Sequence, residues 1–523
     1  MTPQLSVIDY IVVIVLLIFS VVFGASFARR QKNTDSYFTT GRSIPPWAIG
    51  MSILATLISS ITFLAYPGDG FSSNWIRLVQ GLMVPVVLVF LVWFIVPLYR
   101  EVIGLSAYEY FEKRFGFFAR LYSSLGFALA HFSKMGTVFF LLALALSSML
   151  GINTYMVIWI LGISIIILTV LGGLEAVIWL DVIQGFMLIG GGLLTLGILL
   201  FTPPGGPAAV IHFAMENQKI GFGPYDLNFT RLTFVVMAIN GIFYAIQKYG
   251  TDQTIVQRYL TAKTDKGAIR AALMGVFLSV PVWMLFMFIG TALYAYYNLT
   301  GDVLPAGMRA DAVFPYFIMT KLPVGITGLI LSALIAAAIS SLDSDMNSLA
   351  AVALEDYYMR FKPHATEKQR LFMGKLFVLL SGLGAIMVAS FYVGAGNKGV
   401  LGIIFTLYAI FSGGIAGIFL LGVFVRRANK QGLYIGIAAT VLFTAYALLT
   451  STPIGVGENK RLLLDLGPLN FTHHKYMIGV YSHIVLFVVG YIASLFFPEK
   501  PVDKNLTYYG WVEILRQRKL SKE

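Results

Sequence analysis

Between Ser340 and Ser348 an otherwise apolar run carries Ser340, Ser341, Asp343, Ser344, Asp345, Asn347 and Ser348. On a helix, Ala337, Ser340, Ser341, Ser344 and Ser348 recur every three or four residues and share one face. Hydroxyls and a backbone carbonyl on one stripe, with carboxylates nearby, form an oxygen donor set, and oxygen donors suit hard cations. Hydroxyls and small residues also line ordinary contacts between membrane helices. The carboxylates weigh against that plainer reading, because an ionised Asp at mid-membrane costs roughly 3 kcal/mol on insertion scales and is by default a functional candidate. A second charged candidate is Lys134, fourteen residues past Arg120. That spacing places it roughly 21 Å into a hydrocarbon core about 30 Å thick. Such a cation needs a partner, either a structural carboxylate or a charged substrate. His131, one helical turn before it, reads as a packing residue, since no HExxH or GxSxG pattern accompanies it.

The chain that holds these residues has 523 of them, 58% hydrophobic and 12% charged, against about 25% charged in soluble domains. It reads as an all-α polytopic membrane protein. With no cysteine, disulfides, thiolate metal sites and a Cys nucleophile are excluded. Runs of about 18 or more apolar residues give thirteen transmembrane spans, near 8–28, 46–68, 76–99, 121–149, 154–172, 177–202, 232–250, 269–297, 323–352, 372–395, 399–425, 432–454 and 476–497. The first has no basic region ahead of it and reads as a retained helix rather than a cleaved leader. With the N-terminus outside and the C-terminus inside, inner segments hold 27 of the 37 Lys and Arg residues, Lys248 and Arg258 among them, and outer segments hold eight. That excess is what the positive-inside rule asks for. The net charge of +12 is then an orientation and anionic-lipid signal, and nucleic acid has no basic soluble domain to bind. The partners expected are the lipid bilayer, a small-molecule solute and ions, with no obligate protein partner evident.

With the first span numbered 0, helix 1 carries Gly50, Thr56, Ser59, Ser60, Thr62, Pro67 and Gly68, and helix 6 carries Asn240, Gly241 and Gly250. Both are breakable. Each opens a five-helix stretch, 46–202 and 232–426, and the five spans between their starts give the two stretches opposite orientation. That is the arrangement of a 5+5 inverted repeat, in which discontinuous helices at corresponding places mark a midplane binding site. Around it lie an N-terminal extra helix and inner loop (1–45), an outer loop (203–231), two C-terminal helices (427–497) and a basic cytoplasmic tail (498–523).

At GGLEAVIWLDVIQG (172–185), TDQTIVQRYL (251–260), AAAISSLDSDMNSL (336–349) and FLLGVFVRRANKQG (419–432), the chain resembles the sodium/solute symporter family. The resemblance implies a leucine-transporter-like fold, alternating access, a multi-pass protein of the plasma membrane (the inner membrane of a Gram-negative bacterium), Na+ as the bound ion and no enzyme activity. It implies a common sodium site from the carbonyls of Ala55, Ile58 and Ala337 and the hydroxyls of Ser340 and Ser341. It also implies a possible second sodium site from Asp181, Ser340, Ser344 and position 343, where Asp343 replaces a hydroxyl. Two carboxylates close together in low dielectric must share a cation or hold a proton.

At the substrate positions the chain is nearer to sialic-acid-type than to hexose-type members, whose Lys and Gln align with Ser279 and Phe405. Ser59, Ser60 and Thr62 repeat the Ser-Ser-x-Thr of the sialic-acid group, Lys134 stands for its Arg, and Gln80 adjoins Gly81, which replaces its Gln. The expected solute is therefore a small organic anion such as sialic acid, with a neutral sugar, another monocarboxylate or a vitamin as alternatives and a sodium-linked solute sensor as a rival class.

Overall fold

The structure, a computed structural model, describes residues 5–395, 413–453, 461–499 and 501–520. Helix α1 (Val7–Ser26) begins with a capping box in which Ser6 and Asp9 satisfy each other's end groups. Asp9 Oδ1 also accepts the N–H groups of Gly325 and Gly328, each at 2.8 Å, tying the start of α1 to the start of Ile326–Val352.

The next span is two helices, α2 (Pro46–Leu57) and α3 (Ser60–Ser72), bent by 60°. Ile58 and Ser59 between them are extended (φ −93°, ψ 110° and φ −113°, ψ 176°). Ser59 restarts the helix by accepting the N–H of Ile61, as an N-cap does. Pro67 lies inside α3, so the break falls at Ile58 and Ser59 and not at the proline. After α4 (Leu78–Val102) and α5 (Phe117–Leu150) comes α6 (Thr154–Phe201), 48 residues long. At that length a straight helix would run about 70 Å, over twice the hydrocarbon core. It turns at Gly173, with φ 60° and ψ −165°, a region only glycine adopts freely. Tyr37 Oη donates to the carbonyls of Thr169 and Val170 just before the turn, so the carbonyls freed there have a partner.

Helix α7 (Phe234–Gly250) runs unbroken through Asn240 and Gly241 and ends at Gly250, so those two residues do not interrupt it. Thr251 and Asp252 then lead into the short α8 (Gln253–Thr261), every residue of which is buried. Its polar side chains are satisfied inside the bundle: Gln257 donates to Phe38 O and Asn347 Oδ1 and accepts from Ser348 Oγ. Further along the chain come α9 (Asp265–Thr300), α10 (Ile326–Val352), α11 (Glu367–Ala395), α12 (Ile415–Phe424), α13 (Lys430–Ser451) and α14 (Lys475–Ser494), with shorter helices between and around these elements. The axis of the bundle is α10. Nearly all of its residues are buried, against four of twenty in α1, while Phe90, Phe186 and Leu442 are exposed.

Among the described residues nine helices are long and apolar enough to cross a membrane, or ten with the bent pair. The sequence expectation of thirteen differs for local reasons. Thr154–Phe201 counts once although it turns at Gly173, α7 is only 17 residues, and α12, which starts after the turn at Gly414 (φ 83°), has ten; the expected span 399–425 lies over 399–412, Phe405 included, outside the described residues.

Gly173 gives a direct test. A Cβ there would lie 2.8 Å from the Tyr37 ring and 2.9 Å from the Tyr37 carbonyl oxygen, on a backbone that disfavours any side chain. Gly173→Ala is expected to cost about 1–3 kcal/mol, read as a melting temperature several degrees lower in detergent. An unchanged melting temperature would mean that the turn relaxes at no cost.

Candidate functional site

The break between α2 and α3 leaves the last carbonyls of α2 without helical partners. One of them is met by α10. Ser340 Oγ donates to Ala55 O at 3.1 Å and lies 3.2 Å from Ala337 O, so two carbonyls and a hydroxyl from two helices converge on one point. Ser341, next along α10, is fully buried and its hydroxyl has no hydrogen-bond partner. Ile58 is buried in the extended link itself. The donors gathered at this place are carbonyls and hydroxyls, the kind of oxygen that suits a hard cation.

A turn further along α10 the arrangement departs from the expectation. Arg258, counted from sequence as an inner-loop cation, is completely buried, because α8 folds back into the bundle. Its Nη2 donates to Asp181 Oδ2 at 3.0 Å and to Ser344 Oγ at 2.6 Å, its Nε to Ser52 Oγ at 2.8 Å and its Nη1 to Thr254 O at 2.6 Å. Ser52 also donates to Asp181 Oδ2 at 2.5 Å, and Ser344 lies 3.2 Å from Thr56 Oγ1. Asp181 and Ser344 thus share a resident guanidinium. Asp343, which the sequence pairs with Asp181, is fully buried with neither oxygen hydrogen-bonded, and Asp181 Oδ1 is likewise unpartnered. The polar spacing Gln253, Gln257, Arg258 in an otherwise apolar segment was the available signal for a buried α8.

Lys134 reaches a cavity of about 370 Å³ that Thr56, Leu57, His131, Tyr244, Lys248 and Asp252 also line. Its ammonium is 3.0 Å from Asp345 Oδ2 and 3.1 Å from Oδ1, so it has a carboxylate partner in the protein. Asp345 is shared. His131 Nδ1 lies 2.9 Å from Asp345 Oδ1 while its Nε2 lies 3.2 Å from Asp252 Oδ2, and Lys248 completes the chain at 2.7 Å from Asp252. His131 is therefore no passive packing residue, but the polar bridge between α10 and the start of α8. Of the residues proposed from sequence for the solute, Lys134 lines this cavity and Ser59, Ser60, Thr62 and Gln80 do not. Ser59 serves as the N-cap of α3, Ser60 is buried with a free hydroxyl, Thr62 is buried, and Gln80 is half-buried. Gly81 faces Trp283, whose ring stands where a side chain at position 81 would begin.

The buried Arg258–Asp181 pair makes a stability prediction. Removing one partner of a buried pair strands the other and costs roughly 3–5 kcal/mol. Arg258→Gln should therefore lower the unfolding midpoint sharply, and adding Asp181→Asn should recover a good part of the loss. Strictly additive losses in the double variant would mean that the two groups are not coupled.

Comparison with known proteins gives this geometry its context. A sodium/sialic acid symporter, NanT, of Aliivibrio fischeri is 32% identical over 492 residues, covering 94% of this chain and 93% of its own length. A second sodium/sialic acid symporter, SiaT, of Proteus mirabilis is 34% identical over 439 residues, covering 83% and 88%. The solved structure of a Na+-coupled sialic acid symporter, substrate-bound and outward-open, superposes with a TM-score of 0.86 at 30% identity over 95% of this chain and all of that one. The sodium:solute symporter family model matches residues 37–439. The chain belongs to the sodium:solute symporter family: it is a multi-pass membrane transporter of leucine-transporter-like fold that couples a solute to Na+, its co-transported ion, and not an enzyme.

Proposed function

We propose that the transported solute is a small organic anion of the sialic acid class, moved with Na+ by alternating access. In this reading Ala55, Ile58, Ala337, Ser340 and Ser341 hold the common sodium ion, at a point where the broken helix and α10 meet through a hydroxyl and carbonyl oxygens. The observation that carries it is the Ser340 hydroxyl held between Ala55 O and Ala337 O beside the unpartnered hydroxyl of Ser341.

Asp181, Asp343 and Ser344 are proposed as a second sodium site whose resident cation is Arg258, so that a sodium ion there has to compete with the guanidinium. The relative with a substrate-bound structure is described as having a novel Na+ site, which supports keeping this second site. The solute is assigned to Lys134 and to the start of α3, where Ser59, Ser60 and Thr62 lie, with Gln80 nearby. Both close relatives are named for sialic acid, and Lys134 supplies a cation for its carboxylate. A neutral sugar is the second reading, favoured by the fact that Asp345 already neutralises Lys134.

The full architecture of this proposal has thirteen spans, a 5+5 inverted repeat with discontinuous helices 1 and 6, the N-terminus outside and the C-terminus inside. The proposed units are the sequence-derived stretches 1–45, 46–202, 203–231, 232–426, 427–497 and 498–523. Breaks at 58–59 and 251–252 near the starts of the two halves support the repeat. Polar contacts support the alternation, because they join segments assigned to one side. Arg30 meets Glu175 and Arg100 meets Asp265 inside. Arg77 meets Asp69, and Lys219 donates to Phe71 O, outside.

A stability screen tests the solute. N-acetylneuraminate, glucose and pyruvate are each added to purified protein in sodium and in potassium. A ligand at about 100 times its dissociation constant adds about 2.7 kcal/mol, and N-acetylneuraminate in sodium should give the largest rise. A rise with glucose alone would select the neutral-sugar reading. For the ion, Ser341→Ala should raise the sodium concentration needed for half-maximal stabilisation about tenfold, equivalent to about 1.4 kcal/mol, and weaken the solute through linkage. An unchanged sodium dependence would leave that hydroxyl a packing group.

A further inference from the structure

His131 stands between two carboxylates from different elements, Asp345 of α10 at 2.9 Å from Nδ1 and Asp252 at the start of α8 at 3.2 Å from Nε2. A neutral imidazole has one donor nitrogen and one acceptor nitrogen, whereas an ionised carboxylate only accepts. With a neutral ring, one of these two contacts would set a lone pair against a carboxylate oxygen. With a protonated ring both contacts become charge-assisted hydrogen bonds, the stronger kind. Two further cations complete the network: Lys134, on the same helix as His131, holds Asp345, and Lys248 of α7 holds Asp252. Tyr244 lines the cavity beside them, and the Phe127 ring packs on the imidazole at 4.1 Å, backed by Tyr108. The guanidinium of Arg258 is turned the other way, onto Asp181.

We propose that His131 carries a proton in this network and that the proton is linked to binding of an anionic solute at Lys134, which makes H+ a further coupled ion of this transporter. The linkage rests on the anionic-solute reading above. Counted as formal charges, Lys134, Lys248 and protonated His131 against Asp345 and Asp252 leave one positive charge on the cavity wall, and a monoanion cancels it. Loss of the proton removes that surplus, and the anion would then have to enter a neutral cluster in low dielectric. When the solute carboxylate draws Lys134 away from Asp345, the imidazolium still holds Asp345, so no buried carboxylate is stranded. The proton comes from water and returns to it, and no bond other than N–H is made or broken.

Two measurements on the full-length protein in lipid test this. The first needs no solute: ¹⁵N-histidine spectra report the protonation of each ring across pH. The His131 signal is assigned by its loss in His131→Gln or, should that variant not fold, by transfer from aspartate carboxyl carbons. The expected result is a doubly protonated ring at pH 7. A neutral ring there would overturn the proposal.

The second is calorimetric titration of wild-type protein with N-acetylneuraminate in sodium, in buffers of different ionisation enthalpy. Because the protonated form binds the anion better, affinity should be full at low pH and fall about tenfold per pH unit once His131 deprotonates. Proton uptake should then approach one per solute. Binding that is independent of pH, with no proton uptake, would overturn the linkage. Failure of N-acetylneuraminate to bind at any pH would overturn the solute reading and the linkage with it, while the nitrogen spectrum would still decide the proton.

Discussion

A pair of extended residues in the middle of a membrane helix is the constraint on which the rest of this structure turns. In hydrocarbon, backbone groups have no water to satisfy them, so irregular backbone persists only where protein or an ion supplies partners. The link at Ile58 and Ser59 frees carbonyls at the end of α2, and α10 answers with Ser340. That requirement explains why α10 is buried over nearly its whole length and why a helix so placed carries so many hydroxyls. Serine also serves where membrane helices only pack, but there its hydroxyl finds a partner, whereas the buried hydroxyl of Ser341 has none. The oxygens that satisfy the broken helix are of the kind a sodium ion needs, so in the proposed reading the break and the ion site are one feature.

Charge in the interior follows a second pattern, in which carboxylates around α10 are placed against cations from other elements. Asp181 is set against Arg258, Asp345 against Lys134 and His131, and Asp252 against Lys248 and His131. The two networks sit side by side on α10 and both draw on the segment after Gly250. A movement of that segment relative to α10 would disturb both at once, which gives a physical route by which ion and solute occupancy sense each other. Asp343, buried on the same helix, makes no ion pair with any of these cations and neither of its oxygens has a hydrogen-bond partner.

Much of this could be read from residues alone. The hydroxyl stripe from Ala337 to Ser348 follows from three- and four-residue spacing, and that helix 1 could break follows from its glycines, its proline and a polar cluster in an apolar run, although not that the link would fall at Ile58 and Ser59. Arg258 could not be placed, because counting basic residues by loop cannot see a nine-residue helix that folds back into the bundle. The partner of Lys134 was open for a related reason. Periodicity puts Asp345 on α10 but does not say which face meets α5. His131 looked inert because its two partners are more than one hundred residues away in sequence, and spacing rules describe neighbours on one element only. The solute face was the least legible part: Gly81 could be aligned, but only the fold sets Trp283 against it.

In the proposed transporter the oxygens at the α2–α3 break and on α10 hold the sodium ion. Anomalous diffraction from crystals grown with thallous ion in place of sodium would locate it. The result expected is a peak among the carbonyl oxygens of Ala55, Ile58 and Ala337 and the hydroxyls of Ser340 and Ser341, and its disappearance when sodium is restored. Thallium bound only between Asp181 and Asp343, or at neither place, would contradict the claim.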